Sequence, residues 1–307
     1  MTCTHPIRLH DPERLVPCGK CYNCLANVRA QWTYRLNCEV LASRFALFVT
    51  LTYSDENLPF RVLGVDTETG EDMTIFIRKE QKSSINYKVF SAVNSVYKRD
   101  VQLFFKRLRK SLGDESFRYF LTSEYGDRTL RPHYHVIFFF QKDFDRKTLY
   151  DTIESTWALG NVHFGECEIA SIAYCTKYCL KETETPNGAE KPFRLMSKRP
   201  ALGDIGYHQY LQNVDNTGYY RAVTHGVGSA AAPRLWRDKY IKSLDEGCQK
   251  SIKDILQSYA EHQKYIRYQK WSKLNPGATM DDYEYFCSQK ADYRAMLAAK
   301  RRTKTKF

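Results

Sequence analysis

The chain has 307 residues, a formal net charge of +12 at pH 7 and ten cysteines. Its length suits one large domain or two ordinary ones with a full hydrophobic core. The charge favours a polyanionic partner, and no run approaches the roughly 18 apolar residues of a membrane span. Because no signal peptide opens the chain, we expect reduced thiols in a cytoplasm, some of them metal-bound.

A cluster of cysteines marks the N-terminal segment, at Cys3, Cys18, Cys21 and Cys24. The last three form two overlapping Cys-x-x-Cys spacings, which suit a zinc knuckle bound through thiolates. Cys3 is one candidate for the fourth ligand, and His5 is the competing one. The alternative is a cluster of free surface thiols. A redox role is less favoured, because no strand and helix pattern precedes the cluster.

A helix and a long strand follow the cysteines. Apolar residues at intervals of three and four predict a helix over 25–41, and a buried strand follows over 44–53. A turn cluster at 54–59 ends this strand. Residues 60–97 are poorly periodic and are interpreted as an insertion with a hairpin tip at 66–70.

Residues 98–110 predict an amphipathic helix with a densely basic face. The apolar face is formed by Val101, Phe104, Phe105 and Leu108. A basic helix face is more often solvated than functional, but the net charge of this chain favours contact with a phosphate backbone.

The remaining elements are predicted from the same periodicities. They are strands over 117–124, 131–140 and 161–169, and helices over 144–159 and 171–181. Residues 183–216 are rich in glycine, proline and charge, so they are predicted to be mostly loop. After Pro233 the chain is predicted to be helical and basic, with a break at 275–277 and a disordered cationic tail.

The strand over 131–140 begins with Arg-Pro-His-Tyr-His before a run of apolar residues. Because side chains alternate along a strand, His133 and His135 project from one face and Tyr134 from the other. Two neighbouring imidazoles on a rigid strand are an arrangement that binds a divalent metal. The alternative is two strand histidines that happen to lie two residues apart.

Glu124, at the end of the preceding strand, is a candidate third ligand. If the two strands are antiparallel neighbours, its carboxylate can lie beside His133 and His135 on the same face. Two imidazoles and one carboxylate suit Mg²⁺ or Mn²⁺ acting as a Lewis acid, better than a closed structural site. The alternative for Glu124 is an ordinary surface charge.

The helix over 171–181 carries the only two tyrosines in the chain that lie four residues apart, Tyr174 and Tyr178. Residues at this spacing share one face of a helix, and Lys177 and Lys181 form a parallel pair beside them. A tyrosine ionises near pH ~10, so it needs nearby positive charge to act as a nucleophile. The alternative, and the more common role of such a pair, is packing in the core or on the surface.

At these residues the sequence resembles the HUH endonucleases, and specifically the replication initiators of small single-stranded DNA phages (microviruses, gokushovirus branch). The resemblance runs through co-linear motifs over roughly residues 16–240. These motifs are residues 16–21, 50–59, 98–100 with the following helix, 124–126, 131–135, the two-tyrosine helix and 195–200. Tyr134 departs from the family, which often has an aliphatic residue between the histidines.

The resemblance implies a role for each candidate residue. Glu124, His133 and His135 would hold Mg²⁺ or Mn²⁺. Tyr174 or Tyr178 would attack a phosphate of single-stranded or locally melted origin DNA, giving a 5′-phosphotyrosine and a free 3′-hydroxyl, and the two lysines would steady phosphate or phenolate. Because the chain has no ATP-binding P-loop motif, a host helicase and a host DNA polymerase are the expected partners, in the cytoplasm of the bacterial host.

We therefore predict an α+β protein. Its core would be an antiparallel sheet of about five strands with helices packed on one face, similar to the ferredoxin-like (RRM-like) nuclease fold of that family. We expect a cysteine-rich segment over 1–30, the endonuclease domain over 31–240 and a basic helical region with a tail over 241–307.

Two other functions compete with this one. A non-catalytic, zinc-dependent regulator that binds nucleic acid would explain the cysteines and the charge, but it leaves Glu124 and the histidine and tyrosine pairs as coincidences. A two-histidine phosphoesterase would need a second motif of the type His-x-Ser/Thr, which the chain lacks.

Overall fold

The structure is a computed structural model of the chain. It describes residues 3, 5–10, 13–78, 87–113, 117–126, 128–177, 185–214, 221–224 and 228–304. The chain divides into two compact units, one formed by Met1–Arg35 with Gly206–Phe307 and the other by Leu36–Ile205. Among the described helices, none is both long enough and apolar enough to cross a lipid bilayer. The division predicted from the sequence, at residues 30 and 240, stays a prediction.

The elements alternate between strands and helices along the chain. The strands are β1 (Ile7–His10), β2 (Glu13–Val16), β3 (Phe45–Thr52), β4 (Phe60–Asp66), β5 (Asp72–Ile77), β6 (Tyr87–Asn94), β7 (Phe117–Tyr125), β8 (Pro132–Phe140), β9 (Val162–Glu166), β10 (Arg194–Met196), β11 (Arg221–Thr224) and β12 (Gly228–Ala231). The helices are α1 (Tyr22–Ala42), α2 (Lys98–Leu112), α3 (Arg146–Trp157), α4 (Ile169–Lys177), α5 (Gly206–Asn213), α6 (Arg234–Lys242), α7 (Glu246–Ser272) and α8 (Met280–Lys304).

The unit Leu36–Ile205 is built on a five-stranded antiparallel sheet with the strand order β10-β7-β8-β3-β9. The run β3-α2-β7-β8-α3-β9 has the connectivity of the ferredoxin-like fold, in which two β-α-β units interleave their strands. The fifth strand, β10, pairs with the outer edge of β7. The predicted α+β class with a sheet of about five antiparallel strands is therefore confirmed.

One face of this sheet is covered by α2 and α3. Alternate residues of β8, including Tyr134 and Phe138, are fully buried on this face because side chains two apart on a strand point the same way. The ring of Phe104 on α2 meets both Phe138 and Trp157 edge to face. Each fully buried aromatic side chain contributes about 1.5–3 kcal/mol, so this layer fixes the position of β8.

The opposite face carries His133 and His135 and is covered by α4. This helix contacts β8, and the ring of Tyr174 packs edge-on against the ring of His135, with centroids 5.0 Å apart. Ile172 and Cys175 of α4 are buried. The prediction of helices on one face alone is thus incomplete, because the tyrosine helix lies on the other face.

The segment predicted as an insertion forms a sheet of its own. Its strand order is β5-β4-β6, with both pairings antiparallel. The predicted hairpin tip joins β4 to β5: the carboxylate of Asp66 accepts hydrogen bonds from the backbone N–H groups of Glu68 and Thr69, and Gly70 has a φ of 72°. Glycine takes up this left-handed conformation without the steric cost that a Cβ brings.

The other unit is mostly helical beyond residue 233, as predicted. Trp271 of α7 packs against Tyr283 and Phe286 of α8, and Gly277, with a φ of 85°, lies in the predicted break between them. Helix α8 extends to Lys304, so the tail predicted to be disordered is helical up to that residue. The predicted loop over 183–216 contains the short elements β10 and α5.

Candidate functional site

The register of β7 and β8 brings Glu124 to the histidines. Glu124 lies directly opposite His133, and Thr122 lies opposite His135. Directly opposed residues of an antiparallel pair share a face of the sheet, so the carboxylate and both imidazoles project from the face that α4 covers. The arrangement depends on this register, since a shift of one residue would turn Glu124 to the opposite face.

His135 is held between two polar partners. Its Nε2 is 2.7 Å from Oε1 of Glu124, and its Nδ1 is 3.0 Å from the hydroxyl oxygen of Thr50 on β3. Both His135 and Glu124 are buried. The ring of Phe48 lies nearly parallel to the imidazole, with centroids 5.8 Å apart. The ring of His135 is therefore fixed with Nε2 toward the carboxylate.

His133 is oriented by the turn that precedes its strand. Its Nδ1 donates a hydrogen bond to the carbonyl oxygen of Arg131 at 2.7 Å, which leaves the lone pair on Nε2. The same carbonyl accepts the backbone N–H of Gly126 at 2.9 Å. A hydrogen bond from Nδ1 to a backbone carbonyl is a common way to fix the tautomer of a metal-binding histidine.

Substitution of Gly126 tests the role of this turn. A Cβ at Gly126 would lie 3.0 Å from Cε1 of His133, closer than side chains tolerate without movement. We expect Gly126→Ala to displace the imidazole and to weaken Mn²⁺ binding by about tenfold or more, in the range seen when the group that orients a metal ligand is lost. Calorimetric titration with Mn²⁺ measures this, with Gly247→Ala on α7 as the control. Equal affinity in Gly126→Ala and the unchanged protein would contradict the prediction.

Protonation of His133 should couple to stability. Burial lowers the pKa of His133 below its ordinary value of 6.5. Since the unfolded chain then binds the proton more readily, this group stabilises the fold above about pH 6.5, and the contribution is lost as the pH falls through the folded pKa. In metal-free buffer, we expect the thermal midpoint of His133→Gln to fall less between about pH 7.5 and about pH 5.5 than that of the unchanged protein. Parallel curves would contradict this.

Tyr174 is the third member of the cluster. Its hydroxyl donates a hydrogen bond to Oε1 of Glu124 at 3.3 Å, and its ring packs edge-on against His135 and Phe48. The residue is 39% exposed, so solvent or a ligand can approach it. Lys177 is half-buried in the last turn of α4. The other predicted tyrosine and lysine, Tyr178 and Lys181, lie outside the described residues.

Some residues of this region were missed by the sequence interpretation. Thr50 and Phe48 lie on β3, which pairs with β8, and only that pairing brings them to His135. Tyr134, on the other face, is buried with its hydroxyl 3.0 Å from that of Tyr53, and it accepts a hydrogen bond from the backbone N–H of Tyr97 at 2.8 Å. These contacts explain why an aromatic residue fits between the two histidines.

The side chains fit a divalent metal by their chemistry. Nε2 of His133 and of His135 and the carboxylate of Glu124 are the donors that Mn²⁺ and Mg²⁺ accept. As placed, His135 and Glu124 hydrogen-bond directly, so a bound ion would replace the shared proton. Binding would then release a proton, as is usual for histidine ligands.

The cysteine cluster is a second candidate metal centre. The sulfur atoms of Cys3, Cys18, Cys21 and Cys24 all lie within 4.8 Å of one another. Cys3 is 3.9 Å from Cys21, and Cys18 is 4.0 Å from Cys24. Four thiolates around one zinc at about 2.3 Å place their sulfurs about 3.8 Å apart. The cluster includes Cys3 rather than His5, and it could hold a metal ion.

The thiols of this cluster differ in acidity. The backbone N–H groups of Cys21 and Lys20 point at the sulfur of Cys18 and lower its pKa. Burial raises the pKa of Cys24 far above the ordinary value of 9.0. A cation at the centre would offset that cost, since a coordinating thiol is deprotonated outright.

Loss of one cysteine should reveal the ion. We expect the purified protein to contain about one equivalent of zinc, and Cys24→Ser to lose most of it and to melt at a lower temperature. Cys248→Ser is the control, because Cys248 is exposed on α7. Metal analysis together with thermal melting checks both. A zinc content that is the same in the two variants would remove the cluster as a metal site.

Comparison with known proteins connects this geometry to a family. Residues 46–183 match the family model of the replication-associated protein ORF2. The chain is 27% identical over 244 residues to replication-associated protein VP4 of Bdellovibrio phage phiMH2K, covering 75% of this chain and 69% of the relative. It is 30% identical over 211 residues to replication-associated protein ORF2 of Spiroplasma virus 4, covering 64% of this chain and 58% of that relative.

A solved structure also resembles part of the chain. It is the N-terminal nuclease domain of the minute virus of mice non-structural protein-1, described with Zn²⁺ in its active-site pocket. The similarity covers 74% of this chain and 98% of that one, at 11% identity and a TM-score of 0.22. Such a score does not establish a shared fold. The matched family region, in contrast, runs from β3 to just beyond α4 and includes Glu124, His133, His135 and Tyr174. Through residues 46–183, this chain belongs to the family of the replication-associated protein ORF2.

Proposed function

We propose that this protein initiates rolling-circle replication by cutting and rejoining single-stranded origin DNA through a covalent tyrosine intermediate. The observation that carries the proposal is the convergence of Glu124, His135 and Tyr174 from three elements onto one face of the sheet. Core packing alone does not require a carboxylate, an imidazole and a partly exposed phenol in one cluster. The relatives named as replication-associated proteins of phages support the same role.

Glu124, His133 and His135 would hold Mg²⁺ or Mn²⁺. When bound there, the ion would supply Lewis acidity for the scissile phosphate and offset the negative charge of the transition state. Thr50 keeps the ring of His135 in place, and the Arg131 carbonyl does the same for His133. The protein thus supplies ligands whose orientation is set before the ion and the DNA arrive.

Tyr174 would act as the nucleophile. Its hydrogen bond to Glu124 gives the phenol proton an acceptor while the phenol oxygen attacks phosphorus. The P–O bond to the 3′-oxygen breaks, and that oxygen takes up a proton to become the free 3′-hydroxyl. The products are a 5′-phosphotyrosine and a primer end, and the reverse transesterification rejoins a strand.

The second tyrosine and the lysines complete the proposal. Tyr178, which shares a helix face with Tyr174 by spacing, would cut the newly made origin while Tyr174 holds the old end, or the reverse. Lys177 and Lys181 would steady phosphate or phenolate. A host helicase and a host DNA polymerase would open and extend the DNA in the cytoplasm of the bacterial host.

The cysteine cluster favours a second candidate function. Its four sulfurs lie at zinc-binding distances, so the protein could be a zinc-dependent regulator that binds DNA without cutting it. One experiment separates the two functions. The protein is incubated with circular single-stranded phage DNA and Mn²⁺, and the products are separated by denaturing electrophoresis. A covalent protein–DNA adduct supports the nicking enzyme, whereas binding without any adduct supports the regulator.

A further inference from the structure

A basic groove lies at the edge of the five-stranded sheet, away from the histidines. It has a volume of about 530 Å³ and runs between α2 and the segment 194–199. Of its ten lining residues, five are basic and none is acidic; the basic ones are Lys98, Arg109, Arg194, Lys198 and Arg199. A concave, single-sign surface of this kind attracts a polyanion, because the low-dielectric walls focus the field.

One wall of the groove is a stripe along α2. Lys98, Gln102 and Arg109 lie within about 40° of one another around the helix, because a helix turns about 100° per residue. The stripe is about 16 Å long, at about 1.5 Å rise per residue. This length corresponds to roughly five nucleotides at the 3.4 Å spacing of one DNA strand.

The other wall is held to the sheet by hydrogen bonds. The backbone N–H of Ser197 donates to the carbonyl of Tyr119 at 3.0 Å, and its hydroxyl accepts the N–H of Tyr119 at 3.1 Å. Arg118, paired with Glu39, donates to the carbonyl of Pro200 at 2.6 Å. The exposed side chains of Lys198 and Arg199 therefore project from a fixed backbone rather than from a free loop.

Apolar surface forms part of the lining. Leu195 and Met196 contribute to it, together with Tyr119, whose ring stacks on Phe105 at 3.8 Å between centroids. Burial raises the pKa of Tyr119, so its phenol stays neutral and adds no negative charge. Nucleic-acid bases that are not paired can rest on such surface, whereas a duplex presents mainly phosphates.

The groove is distinct from the cluster of Glu124, His135 and Tyr174. Tyr119 lies five residues before Glu124 on β7 and on the opposite face of the sheet, a separation along the strand of roughly 17 Å. A strand bound in the groove is therefore not the phosphate being cut.

We propose that this groove binds the sugar–phosphate backbone of single-stranded DNA that flanks the cut site. The inference rests on the proposed function for the identity of the ligand. Its physical basis is the row of positive charges, the length of the groove and the apolar lining. By holding flanking DNA, the groove would raise the local concentration of the strand at the tyrosine.

Binding to an oligonucleotide tests the inference without any cutting. Fluorescence anisotropy is measured with a labelled oligo-dT of about 20 nucleotides, without Mn²⁺ and in a Tyr174→Phe background, over a range of salt concentrations. The test variant is Lys198→Gln with Arg199→Gln, and the control is Lys142→Gln with Lys147→Gln at the start of α3. Both remove two positive charges from exposed positions of the same unit.

We expect the test variant to bind oligo-dT about tenfold more weakly at low salt, and the control to bind like the parent. The slope of log affinity against log salt should fall in magnitude by about 1.4, since each single-strand phosphate contact contributes about 0.7. An equal loss in the control would overturn the proposal, because net charge alone would then explain it. A loss confined to a duplex probe of the same length would also overturn it. Because nothing is cut, these outcomes are independent of whether Tyr174 is a nucleophile.

Discussion

We expect Tyr174→Phe to lower the initial rate of covalent adduct formation on single-stranded phage DNA by a factor of about 10³ or more. Removing a catalytic nucleophile leaves only binding and electrostatic effects, which are a small part of the rate enhancement. The fold should be unaffected, because the lost hydroxyl is partly exposed and its bond to Glu124 is long, at 3.3 Å. Adduct formation is measured by denaturing electrophoresis, and stability by thermal melting.

The control for this prediction is Tyr259→Phe, which changes a similarly exposed tyrosine on α7. It should form adduct at the rate of the unchanged protein. The double variant Tyr174→Phe/Tyr178→Phe should form none. If Tyr178→Phe alone loses the adduct while Tyr174→Phe keeps it, the nucleophile is Tyr178. If the double variant reacts like the unchanged protein, the proposed tyrosine mechanism is wrong.

The second large effect concerns metal binding. We expect Glu124→Gln and His135→Gln each to lower the affinity for Mn²⁺ by about 100-fold, because each removes a direct donor and breaks the pair that orients the other. In the unchanged protein, Mn²⁺ at about 100 times its Kd should stabilise the fold by about 2.7 kcal/mol. The variants should lose most of that gain, which is read as the shift of the thermal midpoint on adding Mn²⁺.

Matched substitutions control for loss of charge and of imidazole. Glu166→Gln on β9 and His262→Gln on α7 change exposed residues of the same types, so they should keep the shift. Adduct formation should fall with Mn²⁺ affinity in the two site variants. If Glu124→Gln and His135→Gln respond to Mn²⁺ as the unchanged protein does, neither residue holds the ion.

Periodicity predicted the central strands and α2 because their burial is periodic. The run over 131–140 alternates around a strand, and the apolar residues of 98–110 recur at helical spacing, so β8 and α2 formed where expected. The segment 60–97 could not be predicted in the same way. Its three strands form a separate small sheet, and several of its residues are exposed, so the apolar signal is weak.

The short strand β10 was missed for a related reason. It is only three residues long and lies in a segment of glycine, proline and charge, so it carries no periodic signal. Its pairing with the edge of β7 creates the second wall of the basic groove. The lysine and arginine residues of this groove come from α2 and from residues 194–199, which lie far apart in the chain.

By itself, the sequence determined the chemical types at the site and their strand faces. Two histidines two apart must share a face of a strand, and four cysteines in the first 24 residues indicate a thiolate site. The tertiary structure alone decided which groups meet. The register of β7 with β8 brought Glu124 to the histidines, β3 brought Thr50 to His135, and α4 brought Tyr174 to Glu124. The reason is physical: local spacing fixes the direction of a side chain, whereas contact between elements far apart in sequence depends on how the whole sheet pairs and packs.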